Sequence, residues 1–194
     1  MRTTILFLSA VILFMACKDK KDPSGKKDIK PVPPEYLLSK NGIGEIKIGM
    51  TRTEIEKLLR QSLTMWHAKD TGDTWADTAT AKYRDLEVSL YFQRQYSETP
   101  TTEMELTGIS TKSPLCKTAG GLGVGDDRNA VLAAYEDNPI SMGPESVMIN
   151  DSTWGLSKTN YYITISDSAW DKQITFNLVN KKIASVEASI QMGD

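Results

Sequence analysis

Two segments of the chain share one pattern of glycine, aliphatic and polar residues at a constant offset of 76 residues. Residues 44–55 align with residues 120–131 without a gap. A pattern that recurs at a fixed offset predicts that a structural unit recurs with it. The sequence therefore favours a fold made of two similar halves. The matched pairs are Gly44/Gly120, Ile46/Leu122, Ile48/Val124, Gly49/Gly125, Arg52/Arg128 and Ile55/Val131.

Each unit is predicted to begin with a short extended segment that turns into a helix. The alternating apolar pair before the glycine indicates one buried face, and the glycine permits the turn. Thr51 in the first unit, and Asp126 or Asp127 in the second, are suited to cap a helix because their oxygens accept hydrogen bonds from free backbone N–H groups. The residues expected on the buried helix faces are Ile55, Leu58, Leu59 and Leu63 in the first helix, and Val131, Leu132 and Tyr135 in the second.

Strands are predicted after each helix. Residues 86–93 alternate between apolar and polar side chains, which is typical of a half-buried strand, and residues 104–112 form a second strand. In the other unit we expect strands at 161–166, 174–179 and 183–190, with a turn at 180–182. On the last strand, Ala184, Val186, Ala188 and Ile190 are expected to face the core, and Ser185, Glu187 and Ser189 to face outward. The predicted fold class is α+β: two tandem repeats, 41–116 and 117–194, each a helical segment followed by a three- to four-stranded antiparallel sheet.

A family resemblance accompanies this pattern. The residues Ile48-Gly49-Met50-Thr51, with Glu54-Ile55 and Leu58-Leu59 after them, resemble the opening motif of the SmpA/OmlA small outer-membrane lipoproteins. The doubled arrangement is similar to the β-lactamase-inhibitor-protein (BLIP-like) fold, and the resemblance covers about residues 43–190. It implies two helix-plus-sheet units side by side. The chain departs from the inhibitors in lacking a disulfide within each repeat, and from the small lipoproteins in being doubled.

The first seventeen residues have the layout of a secretory signal. Arg2 precedes an apolar run at residues 5–15, which is too short for a permanent membrane span. Ala16 and Cys17 end the run and resemble a bacterial lipobox, although Phe14 stands where an aliphatic residue is usual. The resemblance implies cleavage before Cys17 and lipidation of that residue. We therefore predict a signal peptide at 1–17 and an outer-membrane lipoprotein of the bacterial cell envelope, held to the membrane through its N-terminal lipid.

Residues 18–40 are predicted to form a flexible tether. The stretch is rich in lysine, aspartate and proline and has too few apolar side chains to fold alone. Its Lys/Asp cluster after Cys17 resembles export signals that carry lipoproteins to the cell surface in some Gram-negative lineages. A solvated tether without sorting information is the alternative, so both periplasmic and surface-facing placements stay open.

The net charge argues against nucleic-acid binding, and the cysteine count argues against an intrachain disulfide. The whole chain has a formal net charge of −2, without the basic excess that nucleic-acid binding requires. With Cys17 lipidated, Cys116 has no intrachain partner, and we expect it to be a small buried side chain.

The sequence offers little that indicates catalysis or metal binding. His67 is the one histidine of the chain and is expected at the surface near the end of the first helix. The aspartates at 70, 73 and 77 do not follow the spacing of a calcium loop, and Asp126-Asp127 is explained as a helix cap. We expect no cofactor, no metal and no enzymatic activity.

Aromatic residues outside the predicted core mark the candidate binding surface, because exposed tryptophan and tyrosine are typical of protein interfaces. The sequence therefore predicts a non-catalytic protein-binding module, of scaffold or inhibitor type, whose partner is another envelope protein. The alternatives are an envelope hydrolase that uses carboxylates in the groove between the repeats, and a lipoprotein that binds a small ligand or glycan. The candidate partner-binding residues are Trp66, Trp75, Tyr91, Trp154 and Trp170.

Overall fold

The computed structural model describes residues 30–67, 76–93, 103–150, 153–167 and 171–190. After a 3-10 turn at Pro34–Tyr36, the elements follow in chain order. They are β1 (Leu37–Ser39), β2 (Gly42–Ile43), β3 (Ile46–Lys47), α1 (Arg52–Leu59), β4 (Trp66–His67), β5 (Ala76–Tyr83), β6 (Leu86–Gln93), β7 (Glu105–Thr111), β8 (Lys117–Thr118), α2 (Arg128–Ala134), β9 (Ile140–Asn150), β10 (Thr153–Ser166), β11 (Lys172–Val179) and β12 (Lys182–Ile190).

An eight-stranded sheet dominates the molecule. Its strand order is β4-β5-β6-β7-β12-β11-β10-β9, and every neighbouring pair is antiparallel. Four strands come from the first half of the chain and four from the second. The two sets join where β7 pairs with β12, with Ile109 opposite Ala188. Side chains alternate between the two faces of the sheet, so one face enters the core and the other, the outer face, points away from it.

A smaller four-stranded sheet covers part of the core, with the order β3-β2-β1-β8. Strand β1 pairs in parallel with β8 through Leu38 and Thr118, and contacts join the small sheet to β7 and β12. Leu38 is buried. Strand β1 thus lies within the last residues of the segment predicted as a tether.

The core lies between the large sheet, the small sheet and the two helices. Alternation along β6 buries its apolar residues, as the sequence predicted for residues 86–93. Ile55 of α1 and Val131 of α2 are fully buried in the same core. At the end of α2, the Tyr135 ring packs against Phe176 of β11, with their centroids 6.1 Å apart. Cys116 is buried, as predicted, and is unpaired.

Both helices begin at predicted caps. The Thr51 hydroxyl accepts a hydrogen bond from the Glu54 amide, and the Glu54 carboxylate accepts one from the Thr51 amide, which forms a capping box. In the second half, the cap is Asp127, whose carboxylate accepts a 2.9 Å hydrogen bond from the Asn129 amide. This hydrogen bond is the main cause that lowers the pKa of Asp127, with Lys182 contributing.

The predicted fold class is wrong. The protein is mostly β, and its strands form two sheets rather than one sheet for each of two helix-plus-sheet repeats. The helices have only 8 and 7 residues and cover a small part of the core. The strands from the two halves share one sheet because pairing of β7 with β12 removes two free strand edges, whose backbone N–H and C=O groups would otherwise lack partners.

No helix within the described ranges is long and apolar enough to cross a membrane. The predicted signal peptide and Cys17 lie outside the described residues, so their assignment stays a prediction.

Candidate functional site

The outer face of the large sheet carries a continuous row of small polar side chains across seven strands, which we call the hydroxyl row. Its members are directly opposite one another in the strand register, so their side chains share one face. Six of the seven carry hydroxyl groups. In order from β5 to β9, the hydroxyl row is Thr80, Ser89, Ser110, Glu187, Thr175, Thr164 and Ser141.

A second row lies beside it and holds the aromatic residues, and we call it the aromatic row. Trp66 of β4 is opposite Thr78, and Thr78 is opposite Tyr91 of β6. Trp66 is well exposed and Tyr91 is about one-third exposed. The sequence prediction that Tyr91 faces away from the core is confirmed. From β4 to β10, the aromatic row is Trp66, Thr78, Tyr91, Gly108, Ser189, Gln173 and Ser166.

The Tyr91 ring is held in place by its neighbours on β7. A Cβ atom built on Gly108 would lie 3.2 Å from the ring Cδ2 atom, so the ring covers the glycine. The Tyr91 hydroxyl is 3.3 Å from the Ser110 hydroxyl, within hydrogen-bond distance. The Thr107 hydroxyl also donates a hydrogen bond to the Tyr91 carbonyl oxygen. These contacts reduce the freedom of the ring before any partner arrives, which lowers the entropic cost of binding.

A groove of about 480 Å³ opens on this face beside Tyr91 and Gly108. Side chains from β5, β6, β7, β11 and β12 line it. Ser189 in the groove is buried, whereas Thr80 and Ser141, at the two ends of the hydroxyl row, are exposed. The residues that line the groove are Thr78, Tyr91, Phe92, Gln93, Thr107, Gly108, Gln173, Glu187, Ser189 and Ile190.

Glu187 is the one carboxyl group among the described residues that line the groove. It lies opposite Ser110 on one side and Thr175 on the other. Burial raises the pKa of the Glu187 carboxyl above its ordinary value, and a hydrogen bond with Ser189 opposes the shift. A carboxylate that loses hydration without a cation beside it destabilises the folded state. A pKa shifted in this way is frequent at functional sites.

The groove is suited to hydrogen bonding and carries no acid–base pair among its described lining residues. Catalysis by paired carboxylates needs a second carboxyl group with a different pKa. The lining instead supplies hydroxyl groups and the side-chain amides of Gln93 and Gln173. Gln173 already donates a hydrogen bond to the Ser189 hydroxyl, with an N–O distance of 3.3 Å.

The predicted site residues are only partly brought together. Trp66 and Tyr91 share the aromatic row, two strands apart. Trp154 lies near the start of β10, whereas the member of the aromatic row on that strand, Ser166, lies at its end. Trp75 and Trp170 lie outside the described residues. The alternation along β12 predicted that Glu187 faces outward but did not mark it as a site residue, because its central position depends on Ser110 and Thr175, which are distant in the chain.

The aspartates whose spacing was compared with that of a calcium loop belong to no metal-binding cluster within the described part of the chain. Among those residues, no group of three or more His, Cys, Asp and Glu side chains is placed to hold a metal ion. Asp77 is buried at the start of β5, and the aspartates at 70 and 73 lie outside the described residues. The backbone of His67 belongs to strand β4.

Comparison of the chain with protein-family models, with curated proteins and with solved structures finds no match. The resemblance to the small outer-membrane lipoproteins and to the inhibitor family therefore stays a prediction from the quoted motif.

Proposed function

We propose that the outer face of the large sheet binds a segment of another envelope protein, and that the chain acts as a non-catalytic binding module. The observation that carries this proposal is the partly buried Glu187 carboxyl at the centre of the hydroxyl row. A partner that places a hydrogen-bond donor or a cation on this carboxyl would compensate for its lost hydration. The small neighbouring side chains leave room for such a group to approach.

The surrounding surface supports protein binding in two further respects. Tyrosine and tryptophan contribute strongly to binding energy at protein interfaces, and Tyr91 and Trp66 stand in one row on this face. An outer face that crosses seven strands is about 30 Å wide, at about 4.8 Å between strands. This width is sufficient for an interface of ordinary size, which buries about 800 Å² on each partner.

We propose in addition that a lipid on Cys17 holds this module at the outer membrane. The support is the signal-like layout of residues 1–17. Cells grown with a labelled fatty acid should label the wild-type chain but not a Cys17→Ala variant. An unlabelled wild-type chain would contradict the anchor. Proteolysis of intact cells then separates surface exposure from periplasmic placement.

Site-specific photocrosslinking in intact cells tests the binding face. A photoreactive residue at Thr175, in the centre of the face, should capture one protein reproducibly. The matched control position is Ala133, which is exposed on α2 at the opposite side of the sheet. Equal capture from both positions, or no capture from Thr175, would contradict the proposal.

The role of Glu187 is tested in the same experiment. Glu187→Gln removes the charge at nearly constant size and should reduce the capture from Thr175. Glu87→Gln provides the control, because Glu87 is an exposed glutamate on β6. If a small ligand or glycan occupies the groove instead, no protein adduct will form at Thr175, and the protein-binding proposal fails.

A further inference from the structure

Part of the β9–β10 hairpin projects beyond the large sheet as a two-stranded arm, which consists of residues 146–150 and 153–156. Trp154 pairs with Met148, and Leu156 pairs with Ser146. Strand β11 pairs with β10 only from Asn160 onward. A register shift between Leu156 and Tyr161 separates the arm from the rest of the hairpin. The arm is therefore a ribbon about 15 Å long, and no third strand of the described residues pairs with it.

The arm exposes large apolar side chains on both of its faces. Met148, Ile149, Trp154 and Leu156 are each more than half exposed. Met148 and Trp154 are directly opposite each other and share a face. The Ile149 side chain lies over Gly155, and a Cβ atom at position 155 would clash with it. A contiguous apolar surface of this kind marks a region that contacts a protein or a membrane.

A basic pocket of about 430 Å³ lies at the base of the arm. Three cationic side chains line it, and no carboxylate is among its described lining residues. The Nε atom of Arg128 is buried and, within the described part of the chain, has no hydrogen-bond partner. This geometry suits an anionic group such as a phosphate. The lining residues are Arg128, Lys158, Thr159, Tyr161, Leu178, Asn180 and Lys181.

The arm and the N-terminal end of the described chain lie at the same end of the large sheet. The hydroxyl of Tyr36 donates a 2.8 Å hydrogen bond to Asp85, in the turn between β5 and β6. The strand register places that turn at the same end as the turn between β11 and β12. The arm extends past the latter turn, since Asn160 is opposite Val179.

The segment between Cys17 and Lys30 is short, which limits how far the described chain can lie from a membrane that holds a lipid on Cys17. Lys30 comes 13 residues after Cys17, and such a segment spans at most about 45 Å when extended. A lipid on Cys17 would therefore keep the arm within reach of the membrane that holds the lipid.

We infer that the β9–β10 arm docks on the anionic lipid surface to which the chain is tethered. The apolar side chains of the arm enter the boundary between headgroups and acyl chains, and a lipid phosphate occupies the basic pocket. The inference depends on the proposed lipid anchor only for bringing the arm close to the membrane. It concerns a surface distinct from the outer-face groove around Glu187.

A lipid surface fits the arm better than a protein groove does. A groove covers one face of a ribbon, whereas a headgroup layer surrounds a shallowly inserted ribbon on both faces. Tryptophan is enriched at this depth because its ring is apolar and its N–H remains hydrogen-bonded. Asp151 is the one charged residue between 146 and 156, so insertion is expected to stay shallow. The cations at the base add attraction for anionic lipids.

Tryptophan quenching by brominated lipids tests this inference on the full chain purified from the cell envelope. The chain is reconstituted in vesicles of phosphatidylglycerol and phosphatidylcholine with brominated acyl chains. Wild-type emission should be quenched, and Trp154→Phe should remove that quenchable part. Trp66→Phe is the matched control, since Trp66 is equally exposed but lies on β4, at the other end and the other edge of the sheet. It should leave the quenched part of the emission unchanged.

The basic pocket is tested in the same vesicles. A Lys158→Glu/Lys181→Glu double variant should show the weaker quenching that the wild type shows in phosphatidylcholine alone. Equal quenching of the wild type and Trp154→Phe would overturn the inference. So would an unquenched Trp154 together with crosslinking of the arm to a protein or to a second copy of the chain.

A separate measurement distinguishes failure of the arm from failure of the anchor. In a detergent phase separation, a lipid on Cys17 should make the wild type enter the detergent phase more fully than a Cys17→Ala chain, in which the arm is unchanged. A chain that enters the detergent phase but whose Trp154 stays unquenched would refute membrane docking by the arm while leaving the anchor intact.

Discussion

Gly49 and Gly125 hold the same position in the two halves of the molecule. Their φ angles are 88° and 94°. The Gly49 amide donates a 2.8 Å hydrogen bond to the carbonyl oxygen of Leu106, and the Gly125 amide donates one of the same length to Ile183. Strands β7 and β12 pair with each other at the seam between the two strand sets. Each glycine therefore fixes the chain before a helix to one of them, Gly49 to β7 and Gly125 to β12.

Replacing either glycine by alanine should destabilise the protein by about 1–2 kcal/mol. The positive φ angle is unfavourable for a residue with a Cβ atom, although open space surrounds both positions. Urea unfolding of Gly49→Ala and Gly125→Ala measures the change. Gly120→Ala is the control, because Gly120 has no positive φ and only one distant neighbour. Equal destabilisation by the control variant would contradict the backbone explanation.

The features that could be predicted from the sequence depend on residues close together in the chain. The caps at Thr51 and Asp127, the alternation of strand β6 and the outward orientation of Tyr91 each follow from a few consecutive residues. Burial of Cys116 follows from its residue type and its lack of a disulfide partner. Local hydrogen bonding and periodicity decide the caps, the alternation of β6 and the orientation of Tyr91.

The joining of the two strand sets could not be predicted, because it depends on pairing between residues about eighty positions apart, such as Ile109 and Ala188. Strand β9 was not predicted, and its residues Gly143 and Pro144 are more typical of a turn than of a strand. An edge strand accepts proline, since one side of it needs no N–H donor.

A register shift explains one error in detail. The alternation predicted Ala184 in the core, but the bulge between β11 and β12 places Ile183 there. The centre of the candidate site was missed for a related reason. In the sequence, Glu187 is one polar residue of an alternating strand. Its central position becomes visible only in the sheet, where Ser110 and Thr175 of the neighbouring strands lie on either side of it.

Loss of the capping box should destabilise α1. Thr51→Ala removes the hydroxyl that accepts a hydrogen bond from the Glu54 amide and should lower the free energy of unfolding by about 1 kcal/mol. Thr51→Ser should retain most of the stability. Thr53→Ala, at an exposed helical position, should change stability by less than about 0.5 kcal/mol. Urea titration compares the three variants, and a Thr51→Ala variant as stable as Thr53→Ala would contradict the cap.

The seam between the two strand sets should make them unfold together. Ile109 is fully buried opposite Ala188, and Ile109→Ala should cost about 3 kcal/mol through lost burial and a cavity. Far-ultraviolet circular dichroism and tryptophan fluorescence should report one coincident transition. Leu115→Ala is the control, because Leu115 is about half exposed. Two separate transitions in the wild type would show that the halves are independent.

Cys116 should be unreactive while the protein is folded. Burial raises the pKa of its thiol to about 12, so the nucleophilic thiolate is scarce at pH 8 and reagents cannot reach the sulfur. A thiol-specific chromogenic reagent should react only after denaturation. Leu115→Cys places a thiol at an exposed neighbouring position and should react at once. Rapid modification of a Cys17→Ser chain, in which Cys116 is the one cysteine, before unfolding would contradict the buried position.

Neutralising Glu187 should stabilise the protein at neutral pH. Burial raises the pKa of Glu187 in the folded state above its ordinary value of 4.5, so the folded state binds the proton more tightly than the unfolded chain does. The contribution of this group to stability is greatest below the unfolded pKa and is lost as the pH rises through the folded pKa. Glu187→Gln should therefore melt at a higher temperature than the wild type at pH 7, and the difference should shrink as the pH approaches 4.5. Glu87→Gln should show no such pH-dependent gain, because Glu87 is exposed. A Glu187→Gln variant that is less stable than the wild type at pH 7 would mean that a cation compensates the carboxylate in the folded protein. The partner-binding role proposed for this charge would then lose its physical basis.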